Sequence, residues 1–148
     1  MDKPSKRYGD ERYGGMNRSQ PEIRHLCSKL LLIGGQEVEL TSLPDRDLPI
    51  LLALGERFTG TAVRVVRLGS SSFRNVAHLW LGRESPLIAI GTGYALARNH
   101  VWHQHAWGIE NEAILETTEA HIDYFGRCLI GRDATAFAEE HALNPLTL

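Results

Sequence analysis

The chain has 148 residues, 43% of them hydrophobic and 23% charged, with a formal net charge of -2. That length supports one domain with its own hydrophobic core, and the near-neutral balance gives no electrostatic pull towards nucleic acid or an anionic membrane. Cys27 and Cys128 stand far apart and outside any CxxC pair, which argues against a zinc ribbon or a disulfide framework and fits a reducing, cytoplasmic setting.

No apolar run reaches membrane-spanning length, and the N-terminus is too polar for a secretory signal. Residues 1–21 are polar and glycine-containing and read as a flexible arm, with Tyr8 and Tyr13 as the side chains a protein partner would hold. Residues 22–148 read as a single domain. Ile23, Leu26, Cys27, Leu30 and Leu31 recur at helical spacing over 22–33, and Gly34-Gly35 ends that helix. QEVEL alternates as a short strand. Ser42 or Asp45 is the expected N-cap of a short apolar helix that ends near Gly55 or Gly60. Residues 62–68, AVRVVRL, are β-branched and strand-like.

Serines then precede a helix over about 72–81, with Phe73, Val76, Ala77, Leu79 and Trp80 as its apolar positions. Three extended runs follow, PLIAIGTGYAL, HVWHQHAWGI and AILETT, the last two joined by a turn at Glu110-Asn111-Glu112. IDYFGRCLI is a further strand, and Asp133 is the expected cap of a closing helix. Helices first and an antiparallel sheet afterwards make an α+β pattern.

HVWHQHAWG concentrates the chemistry. As metal ligands, His100, His103 and His105 read H-x-x-H-x-H, and imidazole suits zinc, nickel or iron. On a strand His103 and His105 share a face, while His100 falls in a loop. With Glu110 the run also reads H-x-H-x-x-x-x-E, superficially cupin-like. A cupin, however, needs many short strands and a later fourth ligand, whereas this chain opens with helices. As an acid–base pair, His105 needs an orienting carboxylate. A two-residue loop at Asn111-Glu112 would set position 116 opposite 107 and bring Glu116 diagonally beside His105. A register shift of one residue would send it to the other face.

A nucleophile is also required. Cys27 and Cys128 both sit in apolar runs and read as packed core thiols. The better position is the start of the 72–81 helix, where first-turn amides and the helix dipole favour an anion; the residue there is Ser72. Gly91 and Gly93 suit close approach of a backbone or substrate, or a bulge. His78 reads as a partly exposed helix residue, and His121, Asp123 and His141 show no convergent spacing.

The ordered motifs S-F-R-N-V-A-H-L-W, G-T-G-Y-A-L, W-H-Q-H-A-W-G, L-E-T-T and Y-F-G, across about residues 60–130, resemble an uncharacterised bacterial papain-like group (Cys-His-Asp/Glu, of transglutaminase or NlpC type). Its members carry C-[FYH]-x-N-[AS] at a helix start, then Y-x-x-G-Y-A, H-[AS]-W, D/E-x-T and Y-F-G. The resemblance implies a papain-like α+β fold, a helix packed on an antiparallel β-sheet, and acyl transfer as hydrolase or transferase on an amide, ester or thioester. It implies His105 as catalytic base and Glu116 as the acid that orients it. Asn75, Tyr94 and Trp107 are the candidate substrate-binding residues, with core packing the alternative for Trp107, and Tyr124-Phe125-Gly126 the closing motif.

Ser72 stands where that group has its cysteine. An alcohol stays protonated at neutral pH even at a helix N-terminus, so Ser72 depends on His105 to remove its proton. Three readings of Ser72 stay open: a cysteine-to-serine replacement that traps substrate, a natural serine form, or a chain that has lost catalysis. Two other functions also stay open, a non-catalytic protein-binding module on the same fold and a metal-dependent enzyme using His103 and His105. No cofactor is implied, and the substrate, small molecule or peptide, is unspecified.

Overall fold

Helix α1 (Gln20–Ile33) buries Leu26, Cys27 and Leu30 completely, the i, i+1, i+4 stripe that a 3.6-residue period places on one face. It ends where Gly34 N–H bonds the Leu30 carbonyl and Gly35 takes a left-handed φ of 82°. This computed structural model describes residues 6–7, 20–40, 47–59, 61–83 and 85–143. Most of the expected arm, and the expected caps Ser42 and Asp45, lie outside the described residues.

The remaining elements, in chain order, are β1 (Lys6–Arg7), which precedes α1, then β2 (Glu37–Leu40), α2 (Asp47–Leu54), β3 (Glu56–Arg57), β4 (Ala62–Val65), α3 (Ser72–Leu81), β5 (Ala89–Leu96), β6 (Val101–Glu110), β7 (Ala113–Glu116), β8 (Asp123–Leu129) and α4 (Gly131–Leu143). The sheet runs β1-β2-β6-β5-β8-β3, with β4 joined through β7 to β6. Its centre is antiparallel: β5 pairs β6 from Ala89↔Ile109 to Leu96↔Trp102, and β8 from Ile90↔Leu129 to Leu96↔Asp123.

The chain is thus α+β, but the sheet departs from the antiparallel one expected. β2 pairs β6 in parallel, and β4 pairs β7 in parallel. β2 and β4 both reach these partners after long excursions of chain, and side-chain alternation carries no sign of strand direction.

Alternation sorts the core into two faces. Ile90, Tyr94, Leu96, Trp102, Phe125 and Leu129 point to the helices: α1 and α2 cover Tyr94, Leu96, Trp102 and Phe125, while α3 and α4 cover Ile90 and Leu129. Ala95, Trp107, Ile114 and Tyr124 form a smaller cluster on the other face, with Phe58 and Ile109 against it. Among the described residues no helix is long and apolar enough to cross a membrane.

Several local expectations are corrected. α4 begins at Gly131, and the Asp133 and Ala134 amides bond the Ile130 carbonyl. Asp133 is therefore a first-turn residue, placed where its charge favours the helix dipole, and not the cap. Cys27 is buried, as expected, but Cys128 is exposed. β5 has no bulge at Gly91 or Gly93, because its pairing with β6 is unbroken.

The two glycines answer close approaches from within the protein. A Cβ at Gly93 would lie 2.5 Å from Gly126 Cα, and a Cβ at Gly91 would land inside the indole of Trp107. That ring is fully buried and has nowhere to retreat. Gly91→Ala is therefore expected to cost about 1–3 kcal/mol through overpacking, read as a lowered urea midpoint. Gly34→Ala is the control, since its Cβ would meet only Leu96 Cδ2 at 3.7 Å. Equal midpoints in the two variants would contradict the packing described.

Candidate functional site

The site is built on the β6–β7 hairpin. Asn111 and Glu112 close it as a two-residue loop, with Glu112 at a left-handed φ of 63°. The pairs Glu110↔Ala113, Ile109↔Ile114 and Gly108↔Leu115 continue to set Glu116 opposite Trp107, on the face of His105. The register that joins His105 and Glu116 is the one adopted.

Glu116 is fully buried and ringed by donors. His105 Nε2 faces both carboxylate oxygens, at 3.0 and 3.1 Å. Tyr124 Oη–H donates to Oε1 at 2.7 Å, and His121 Nδ1 lies 3.1 Å from the same atom. The Thr118 amide and hydroxyl donate to Oε2 at 2.9 and 2.8 Å. These Thr118 bonds bend the chain and end β7 at Glu116, short of the LETT run expected to be strand.

Burial alone would raise the Glu116 carboxyl. The hydrogen bonds from His105, His121 and Tyr124 overcome it and hold the group well below the usual carboxylate range. For His105 the balance falls the other way: burial pushes its pKa down, against the upward pull of Glu116. The resting pair is thus a neutral imidazole beside an ionised carboxylate. Because the carboxylate only accepts, His105 Nε2 carries the proton and Nδ1 holds the free lone pair.

Ser72 reaches the same place from the helix side. Along one edge β6 is covered by β5; along the other, β2 pairs only Val101 and Trp102, and β7 only 108–110. The start of α3 fills the gap, and the Ala106 amide donates to Ser72 Oγ at 3.3 Å. Ser71, with φ -98° and ψ 107°, is the N-cap and accepts from the Arg74 amide, so Ser72 is the first helical residue. The Ser72 and Phe73 amides have no acceptor within the helix and sit at the positive end of its dipole. Ser72, His103, His105, Thr118 and His121 all line one cleft of about 360 Å³.

What steers α3 there is the segment before it. Beyond β4, the Val66 and Leu68 amides bond the carbonyls of Glu116 and Thr117. Asn75 Nδ2 then bonds the Gly69 carbonyl at 3.0 Å and Thr117 Oγ1 at 3.2 Å. Asn75, expected at the substrate, therefore ties the helix to the strand that carries Glu116.

Two more expected substrate contacts are placed elsewhere. Tyr94 is fully buried with Leu26 and Cys27 in the helix-side core, because an even-numbered residue of β5 faces away from His105. Trp107 shares the face of His105 but is fully buried, packed edge-on against Phe58 and Tyr124 at centroid distances of 5.3 and 5.0 Å. Neither lines the cleft. His100 lies in the turn before β6, with φ 69°.

Spacing gives no hint of His121, yet it completes the site. Its Nδ1 lies 2.7 Å from the Glu119 carbonyl, and its Nε2 lies 2.8 Å from His103 Nε2. It arrives on the β7–β8 connection, so its convergence with β6 is tertiary. The nearest signal in the chain is the E-T-T-E-A-H-I-D-Y-F run, whose glutamate, threonine, histidine and tyrosine all meet at one carboxylate. No family model, no curated protein and no solved structure matches the chain.

Proposed function

We propose that the protein is an acyl-transfer enzyme of papain-like type, a hydrolase or transferase acting on an amide, ester or thioester. The observation that carries this reading is the buried His105–Glu116 pair, 3.0 Å apart, opening into the cleft that holds Ser72.

In this reading Ser72 Oγ attacks the acyl carbon while its proton passes to His105 Nδ1. The Ala106 N–H occupies a lone pair of Oγ and leaves the hydroxyl hydrogen free to be given up. Negative charge on the former carbonyl oxygen is met by the Ser72 and Phe73 amides. Glu116 stabilises the imidazolium as it forms. His105 then protonates the leaving group, and a water or an acceptor amine, deprotonated by the same ring, releases the acyl group from Ser72. Phe73 and Gln104 are shared with a second cavity of about 470 Å³, whose lining mixes Ile50, Leu51 and Phe137 with Asp47, Arg127 and Glu140 and offers room for a further portion of the substrate.

The test is acylation with p-nitrophenyl acetate followed by peptide mass mapping. One acetyl group is expected on the peptide carrying Ser72, with the label absent from Ser72→Ala and His105→Gln. An equal label on Ser72→Ala would remove this reading.

A further inference from the structure

We infer that His103, His105 and His121 form a binding site for a borderline divalent transition metal ion of the zinc class. The site stands on its own geometry and does not rest on the acyl-transfer reading. One ring nitrogen from each histidine lies within 4.8 Å of the others. Three nitrogens at about 2.0–2.1 Å from a zinc ion in tetrahedral geometry lie about 3.3 Å apart, so side-chain shifts of about an ångström would close the site.

The outer contacts already prepare the lone pairs. A carbonyl oxygen only accepts, so His121 Nδ1 donates to Glu119 O and its Nε2 is left as a lone pair. Glu116 likewise fixes the proton of His105 on Nε2 and leaves Nδ1 free. A metal-binding histidine characteristically donates its other ring N–H to a carboxylate or a backbone carbonyl, and here two of three do so. The third, His103 Nε2, meets His121 Nε2 at 2.8 Å. Without a cation that contact needs a proton of its own; with one, the two nitrogens become adjacent ligands.

Three imidazoles leave the fourth zinc position to water or substrate, and this cluster lines a cleft. His105 Nδ1 would serve both the ion and Ser72. A bound ion therefore excludes His105 from acting as base, and zinc becomes an inhibitor of any Ser72 chemistry.

The experiment is titration of the chelator-treated 148-residue chain with ZnCl2 by calorimetry, with Co2+ absorption as a report on ligand geometry. One equivalent is expected at neutral pH, with a visible cobalt band of tetrahedral or five-coordinate intensity. His121→Ala should weaken binding by about 100-fold or more, since even an outer partner of a metal histidine typically contributes 10- to 100-fold. Ser72→Ala should bind as the unchanged chain does. His103→Gln, at a half-buried position, decides the matter if His121→Ala does not fold. An unchanged chain that binds no zinc would overturn the proposal, and so would affinity that survives in the histidine variants. Acetylation of Ser72 by p-nitrophenyl acetate in metal-free buffer is read separately, so either idea can fail alone.

Discussion

Ser72→Cys, made together with Cys128→Ser, is expected to be alkylated by iodoacetamide at pH 5.5 about 10- to 100-fold faster than free cysteine. An ordinary thiol has a pKa near 8.5, and one at a helix N-terminus beside a histidine typically falls to about 3.5–7.5. The gain in thiolate exceeds the loss of intrinsic nucleophilicity that accompanies a lower pKa. Adding His105→Ala should return the rate to that of free cysteine or below. Cys128 is replaced because it is exposed and would itself react. Cys27 stays silent: it is buried, and burial pushes its thiol up to about 12. An alkylation rate indifferent to His105 would mean that the two side chains share a cleft without sharing a proton, and the acyl-transfer reading would lose its base.

Glu116→Ala should be the most destabilising single substitution at the site, by about 3 kcal/mol or more, because each buried donor left without its acceptor costs about 1–3 kcal/mol. It would leave the donors of His105, Tyr124 and Thr118 facing an empty space. Glu116→Gln keeps the volume and one acceptor, so its cost should be smaller. A loss below about 1 kcal/mol in the alanine variant, measured by urea unfolding, would show that the donors are satisfied some other way.

The same buried groups predict acid lability. The Glu116 carboxyl is held below its ordinary range when folded, so its contribution is present above about pH 4.3, the unfolded pKa, and is lost as pH falls below it. Burial, reinforced by His105 and His121, pushes the His103 ring down to about 4. An unfolded histidine protonates at about 6.5, so this ring costs the folded state nothing at neutral pH and destabilises it increasingly as pH falls from about 6.5 to 4. Each such group changes stability by up to about 1.4 kcal/mol per pH unit within its window. The urea midpoint should therefore fall from pH 7 to pH 4.5; a flat profile would contradict a neutral, half-buried His103.

Much of this was legible from residue order alone. The 72–81 helix follows from Phe73, Val76, Ala77 and Trp80 at helical spacing behind a serine run, and the serine cap is Ser71. The His105–Glu116 pair was legible as a conditional: an Asn111-Glu112 loop of two residues determines, by period-two alternation, that Glu116 faces His105. Local rules suffice there because the partners lie on one hairpin.

Where partners come from distant segments, local rules had nothing to count. Asn75 and Tyr94 are polar enough to suggest a cleft, but strand parity turned Tyr94 into the helix-side core, and Thr117 drew Asn75 into a brace. Cys128 sits in an apolar run and is nonetheless exposed, because burial depends on what covers a strand.

HVWHQHAWG, taken alone, determined that imidazoles would crowd one strand face and that His105 could meet a carboxylate across one hairpin. Only the tertiary structure decided that His121 joins them, that Tyr124 and Thr118 saturate the same carboxylate, and that Ser72 enters through the gap between β2 and β7. The physical reason is that periodicity specifies which way a side chain points, whereas convergence depends on how the connections between elements close.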